Sequence, residues 1–153
     1  MQPKTRQAVA ALAISAAALV GIASNEAYRG STYKDSGGIP TLGYGETEGV
    51  VVGQTTTPDK ALRTLLKSVD AHTQEMAACI NVPLYQYEFD AYADLTYNIG
   101  SSAFCHSNLV RKLNASDYQG ACKEILRWNH VGNQVLSGLT KRRQAEYQTC
   151  IGN

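Results

Sequence analysis

Hydrophobic residues change rhythm twice along this chain. From 8 to 24 they form an uncharged run without a polar face, preceded by Lys4 and Arg6. From 25 to 57 apolar residues stand singly among Gly, Ser and Thr, the pattern of short strands and tight turns. Asp35, Ser36, Gly37 and Gly38 supply turn chemistry between two short strands, and Pro40 stiffens entry to the second. Gly43 and Gly45 alternate with Leu42 and Tyr44, leaving room for close backbone approach or bulges. The consecutive valines at 50–52 read as another short strand and 53–57 as a turn, completing a small β-lobe. From 58 onward the spacing is helical. Thr57 reads as an N-cap and Pro58 as a first helical position. Leu62, Leu65, Leu66, Val69, Met76 and Ile80 predict a long helix over 58–79, which Asn81 and Pro83 stop. Further helices are predicted near 85–98, 102–113, 117–128 and 138–150, with breaks at 98–100, 114–116 and 131–133.

This order of elements, a β-lobe followed by a helical lobe, argues an α+β architecture. A length of 153 residues suits one domain with a real core. The formal charge of +1 gives no electrostatic footprint for nucleic acid. Arg111, Lys112, Lys123, Arg127, Lys141, Arg142 and Arg143 crowd the C-terminal part, a set that reads as ordinary solvated helix faces. The cysteines stand at 79, 105, 122 and 150 without a Cys-x-x-Cys pair, and His72, His106 and His130 are scattered, so no metal site is expected. Four cysteines behind an export-type segment suggest two disulfides in one of three connectivities; in a reducing compartment they would be buried thiols.

The chemistry concentrates in one window. Eight residues separate Glu26 from Asp35, and five separate Asp35 from Thr41. The window reads as a helix end followed by a tight hairpin, which can bring two carboxylates and a hydroxyl to one cleft. Two carboxylates flanking a sugar linkage are what glycoside hydrolysis requires. One stays protonated to serve the leaving oxygen; the other is ionised.

Glu26, Asp35 and Thr41 at these gaps, with Tyr33 and Lys34 before the Asp and Leu42, Gly43, Tyr44 and Gly45 after the Thr, resemble the signature of the phage-type lysozymes, glycoside hydrolase family 24. The resemblance extends to Tyr97, Asn98 and Gly100, to Ala103, Phe104 and Ser107, to Arg127 and Trp128, and to Gly138, Leu139, Arg142 and Arg143, so it covers most of 25–150. It implies a lysozyme-like fold: a small β-hairpin lobe and a larger helical lobe with the cleft between them, plus an N-terminal apolar helix. It implies a muramidase cutting the β-1,4 bond from N-acetylmuramic acid to N-acetylglucosamine in peptidoglycan. Glu26 would be the general acid, Asp35 the base for water or a countercharge, and Thr41 the residue that positions the water. An inverting reaction would set the carboxylates about 6.5–9.5 Å apart. Tyr97, Ser107 and Asn133 become candidates for the sugar groove, although Tyr97 also suits a core and Ser107 a helix terminus. Trp128 reads as core. The resemblance favours the disulfide Cys122–Cys150, which leaves Cys79 with Cys105. No cofactor or metal is implied. Glu46 stands where family members carry His, adding negative charge beside the window together with Glu48.

The run at 8–24 has 17 residues, near the lower limit for spanning a bilayer, and 11 of them are Ala, Gly or Ser. Such content inserts weakly. A permanent anchor fits poorly; a cleaved signal peptide fits better, with Gly21, Ile22 and Ala23 as a small-x-small processing site. Resemblance to lambdoid phage endolysins implies a third reading, a signal-anchor-release segment over 1–24 ahead of a catalytic domain over 25–153. The protein would be tethered to the host inner membrane, then freed into the periplasm by a holin-type partner, acting as a monomer. Because the segment ends beside Glu26, tethering would hold the enzyme inactive. A lytic transglycosylase, which needs one Glu and no water, and a non-catalytic peptidoglycan-binding protein are the rivals; Asp35 and Thr41 argue against both.

Overall fold

The structure is a computed structural model describing residues 5–153. Lys4 and the first residues of the expected 1–24 segment lie outside the described residues. Backbone contacts divide the chain into two compact units, Ala16–Asp70, and Met1–Ser15 together with Ala71–Asn153.

The first unit holds helix α1 (Ala16–Asn25), strands β1 (Arg29–Lys34) and β2 (Pro40–Gly43), and most of helix α2 (Pro58–Ala78). β1 and β2 pair antiparallel, with Tyr33 opposite Thr41 and Lys34 opposite Pro40. The Asp35 backbone N–H donates to the Ile39 carbonyl at 3.0 Å, closing the hairpin that the turn residues predict. Along α2 the positions Ala61, Leu65, Val69, Thr73 and Met76 are buried, a spacing of three and four that puts them on one face. Leu62 and Leu66, counted among the predicted apolar positions, are exposed instead.

The valines at 50–52 do not form a strand. The backbone that joins β1 lies beyond them: Ser31 bridges Thr55, and the Thr56 N–H donates to the Gly30 carbonyl at 2.9 Å. Val51 and Val52 sit in the preceding turn, 62% and 70% exposed, because this ribbon has no second layer to cover them.

The second unit is helical: α3 (Gln86–Ile99), α4 (Ser101–Cys105), α5 (Asn108–Asn114), α6 (Tyr118–Glu124) and α7 (Ser137–Cys150), with the end of α2. The helix predicted over 102–113 is broken in two. Ser107 interrupts it, donating to the Phe104 carbonyl at 2.6 Å and accepting the Val110 N–H as the N-cap of α5. Past α6 the chain tightens into a 3₁₀ turn over Ile125–Arg127, so the helix predicted to 128 ends early. The break expected at 131–133 is a small hairpin, β3 (His130–Val131) and β4 (Gln134–Val135), with Gly132 at φ +57° in its two-residue turn. The core brings together Phe89, Tyr92, Leu95, Phe104, Leu109, Leu113 and Ile125. Disulfides join Cys79 to Cys105 and Cys122 to Cys150, the second linking α6 to α7. Part of the C-terminal basic cluster is paired rather than solvated: Arg142 meets Asp94 at 2.7 Å and Lys112 meets Glu124 at 2.6 Å, while Arg143 is buried.

The apolar run at 8–24 is not one helix. Val9–Ala11 form a 3₁₀ turn, 12–15 lack helical structure, and α1 begins only at Ala16. Val9, Leu12 and Ile14 pack against the helical core. Side chains of α3 take the backbone groups a helix would have used: Gln86 donates to the Ala13 carbonyl at 2.8 Å, and Asp90 accepts the Ser15 N–H at 3.0 Å. Gln7 exchanges two backbone hydrogen bonds with Leu84 at 2.7 and 2.8 Å. Arg6 pairs with buried Glu88 at 2.8 Å and stacks over the Tyr118 ring at 3.5 Å. Among the described residues, no helix is long and apolar enough to cross a membrane.

Candidate active site

Glu26 follows the last residue of α1, and its N–H still bonds back to the Ile22 and Ala23 carbonyls. The next residue, Ala27, has φ +34°, a conformation that costs a non-glycine residue about 1 kcal/mol or more and turns the chain sharply into β1. A carboxylate is thus fixed at a helix end by a strained backbone step, and it is half-buried.

The loop after β2 closes against that carboxylate. Leu42 and Glu46 exchange two backbone hydrogen bonds at 2.9 and 3.0 Å, pinching Gly43, Tyr44 and Gly45 into a tight turn. Gly45 has φ +82°, and a Cβ there would stand 3.1 Å from Glu26 Oε2. At Gly43, with φ +64°, a Cβ would stand 3.0 Å from Ala61 Cβ. Both glycines therefore serve the close approach their spacing predicts. The ring of Tyr44 lies 5.4 Å from that of Tyr28, bracing the same turn from β1's side.

Asp35 sits at the hairpin turn. Its Oδ1 accepts the Gly37 N–H at 2.8 Å and the Ile39 N–H at 2.9 Å, so the residue that bears the charge also builds the turn. Oδ2 takes no part in these bonds. Thr41 lies on β2 and is 3% exposed. Its hydroxyl donates to the Ile39 carbonyl at 2.9 Å, which spends its proton and leaves lone pairs that can only accept. Glu26, Asp35 and Thr41 thus all belong to the Ala16–Asp70 unit, Glu26 at the end of α1 and the other two on the hairpin.

The three groove candidates belong to the helical unit. Tyr97 is half-buried, its ring 5.5 Å from that of His72 in an edge-on arrangement. Ser107, besides capping α5, lines a pocket of about 260 Å³ with Asn108, Glu124, Arg127 and Trp128. Asn133 is exposed in the β3–β4 turn. Trp128 packs partly against the core, as its sequence reading expects, and also lines that pocket.

Sequence reasoning missed two supports. Glu46 is held by the Ser68 hydroxyl at 2.7 Å and by the Glu48 N–H at 3.2 Å, so its carboxylate is engaged by neutral donors. Ser68 is remote in sequence and carries no motif that could have marked it. Ala27 gave no signal because strain at a plain alanine has none. Among the described residues no group of His, Cys, Asp and Glu is arranged to hold a metal ion.

Residues 23–146 match the family model described as phage lysozyme. The chain is 39% identical over 137 residues to an endolysin of Acyrthosiphon pisum secondary endosymbiont phage 1, covering 87% of this chain and 94% of that one. It is 31% identical over an alignment of 161 positions to the SAR-endolysin of Enterobacteria phage P21, with 99% and 98% covered. Among solved structures, an endolysin from Escherichia coli O157:H7 phage FAHEc1 superposes with a TM-score of 0.85 at 30% identity, covering 97% of each chain. With Glu26, Asp35 and Thr41 inside the matched span and a lysozyme-like fold around them, the chain belongs to the phage lysozyme family of glycoside hydrolases.

Proposed function

We propose that this protein is an endolysin muramidase that hydrolyses the β-1,4 bond from N-acetylmuramic acid to N-acetylglucosamine in peptidoglycan. The observation that carries the reading is the arrangement of two carboxylates and a buried threonine around one hairpin, with Gly45 open for Glu26. Glu26 gives its proton to the glycosidic oxygen as the bond to the anomeric carbon breaks. Water attacks that carbon from the opposite face and loses its proton to Asp35 Oδ2, inverting the centre. Thr41, its own proton spent on Ile39, accepts one hydrogen of that water and leaves the other for Asp35. Tyr97, Ser107 and Asn133, all in the helical unit, are the candidates for contacts to the sugar chain. Residues 25–153 form the catalytic domain.

Residues 1–24 act as a signal-anchor-release segment. Support comes from the Ala-rich run behind basic residues and from similarity over nearly the full length to proteins named SAR-endolysin. As an anchor the run is an apolar helix in the host inner membrane. A holin-type partner releases it, and the monomeric enzyme then acts in the periplasm. The packing of Val9, Leu12 and Ile14 on the helical core, and the burial of Ile22 in the other unit, support a released state in which the segment is part of the fold. In the tethered state those contacts are unmade, and Glu26 is one residue past a helix held in lipid. The enzyme is then inactive.

The test is a digest of purified peptidoglycan by the full chain beside Glu26→Gln, with products read by mass spectrometry. Reducing muropeptides from the unaltered chain, and a loss of about 10²-fold or more in the variant, are expected. Anhydro products would move the protein to the transglycosylases. An inert full chain would leave a binding module. A chain tethered by a stronger apolar anchor should be inactive, and full activity from it would sink the tethering claim.

A further inference from the structure

A second cavity, of about 390 Å³, lies wholly within the helical unit and includes none of the candidate site residues. That volume falls in the range of small-ligand pockets, about 300–1,000 Å³. Its walls are aromatic and polar together: Tyr87 from α3, Tyr118 and Gln119 from α6, Tyr147 from α7, and Arg6 from the N-terminal segment, with Lys123 beside them. The Cys122–Cys150 disulfide also lines it and fixes α6 against α7.

The polar groups divide into spent and unspent. Arg6 and Glu88 neutralise each other at 2.8 Å, and the Tyr118 hydroxyl donates to the Pro83 carbonyl at 2.9 Å. Tyr87, Gln119, Lys123 and Tyr147 line the same space, and among the described residues their polar ends meet no hydrogen-bond partner. Burial pushes the Tyr87 hydroxyl above its ordinary value, keeping it a donor. With the Arg6–Glu88 pair cancelled, Lys123 leaves the pocket one positive charge. It therefore offers donors and a cation to an anion, and tyrosine faces to aliphatic carbon.

We infer that this cavity binds the carboxylate-bearing stem peptide of peptidoglycan, with Lys123 on a carboxylate, Gln119 and the hydroxyls of Tyr87 and Tyr147 on peptide carbonyls or carboxylates, and the aliphatic parts against the tyrosine rings. The inference rests on the peptidoglycan reading above. In peptide-bearing peptidoglycan the lactyl carboxyl of each muramic acid is spent in the amide to the stem peptide, so the sugars there supply no negative charge to answer Lys123, whereas a stem tripeptide carries three carboxylates against one ammonium. Arg6 ties the site to the state of the chain. It precedes the apolar run, so while that run is in lipid Arg6 is held at the other face of the membrane, and the wall it forms is missing. The pocket is complete only after release.

The test uses the full chain carrying Glu26→Gln, ¹⁵N-labelled, titrated with the N-acetylated tripeptide L-Ala-γ-D-Glu-meso-diaminopimelate and separately with N-acetylglucosamine trimer. Saturable amide shifts at Gln119, Lys123 and Tyr147 with the tripeptide are expected. Lys123→Ala should weaken that binding at least fivefold, and Tyr147→Leu likewise, with an unchanged thermal midpoint for the exposed Lys123 variant as the fold control. Shifts at these residues with the sugar trimer instead, no shifts there with the tripeptide, or equal affinity in the Lys123 variant would each overturn the inference. A chain that digests peptidoglycan yet shows no tripeptide shifts here loses this site and keeps its proposed function. A chain that binds the tripeptide but digests nothing keeps the site and loses the muramidase reading.

Discussion

Gly45 carries the backbone demand that bears directly on the Glu26 carboxylate. Its φ of +82° costs an L-residue about 1–2 kcal/mol, and the added methyl would stand 3.1 Å from the Glu26 carboxylate. Gly45→Ala should therefore cost about 1–2 kcal/mol of stability and also displace the acid. Activity is expected to fall at least tenfold at a temperature well below the thermal midpoint. A variant with a lowered midpoint but full turnover would show that the glycine serves the turn alone. This close approach was legible because Gly45 and Glu26 lie within one local window, where spacing stands in for geometry. The grip on Glu46 was not legible. Ser68 reaches it across 22 positions, and a lone serine on a helix has no pattern to distinguish it.

Among the elements, periodicity gave the extent of α2, although Leu62 and Leu66 among its apolar positions are exposed. It failed where a side chain ended an element. Ser107 cut a predicted helix in two by capping the next, a cost and gain of about 1 kcal/mol that hydrophobic spacing does not register. The valines at 50–52 have strand propensity but no covering layer, and the neighbouring backbone, not theirs, completes the ribbon. The apolar run at 8–24 is not the single helix that the resemblance implies. Its lack of a polar face hid the fact that its two parts serve different units, 9–14 on the helical core and 16–25 as α1. The helical unit is in turn held by its crosslinks. Cys122 and Cys150 close a loop with a sequence separation of 28 residues, which in the chain-entropy treatment stabilises by about 3–4 kcal/mol. Cys122→Ser with Cys150→Ser should lower the unfolding free energy by that order in urea titrations under oxidising conditions. The difference from the unaltered chain should shrink when reductant is added to both. Equal midpoints without reductant would mean that the bridge is not formed.

At the scale of the molecule, the buried charges of α3 and α7 set how stability answers to pH. Glu146 is 2% exposed. Its carboxylate lies 3.2 Å from Arg143 and 3.4 Å from Arg142, yet neither oxygen receives a hydrogen bond. Burial first, and the negative charge of Asp94 second, push its carboxyl up to about 8 against the attraction of the two arginines. Arg142 is already engaged by Asp94, and Arg143 donates its Nη2 to Asn98 at 2.6 Å, which is why two cations so near do not hold the proton off. The sign follows from proton counting. Below the unfolded value of 4.5 both states hold the proton. Between there and about 8 the unfolded chain has released it and the folded chain has not, so stability falls as pH rises through that window. The loss is on the order of a few kcal/mol. Glu146→Gln keeps the shape and removes the titration. Urea unfolding at pH 5 and pH 8 should show the unaltered chain losing that much more than the variant across the window. Parallel losses in the two proteins would mean that Glu146 is ionised in the fold and that its arginines hold it as an ordinary ion pair.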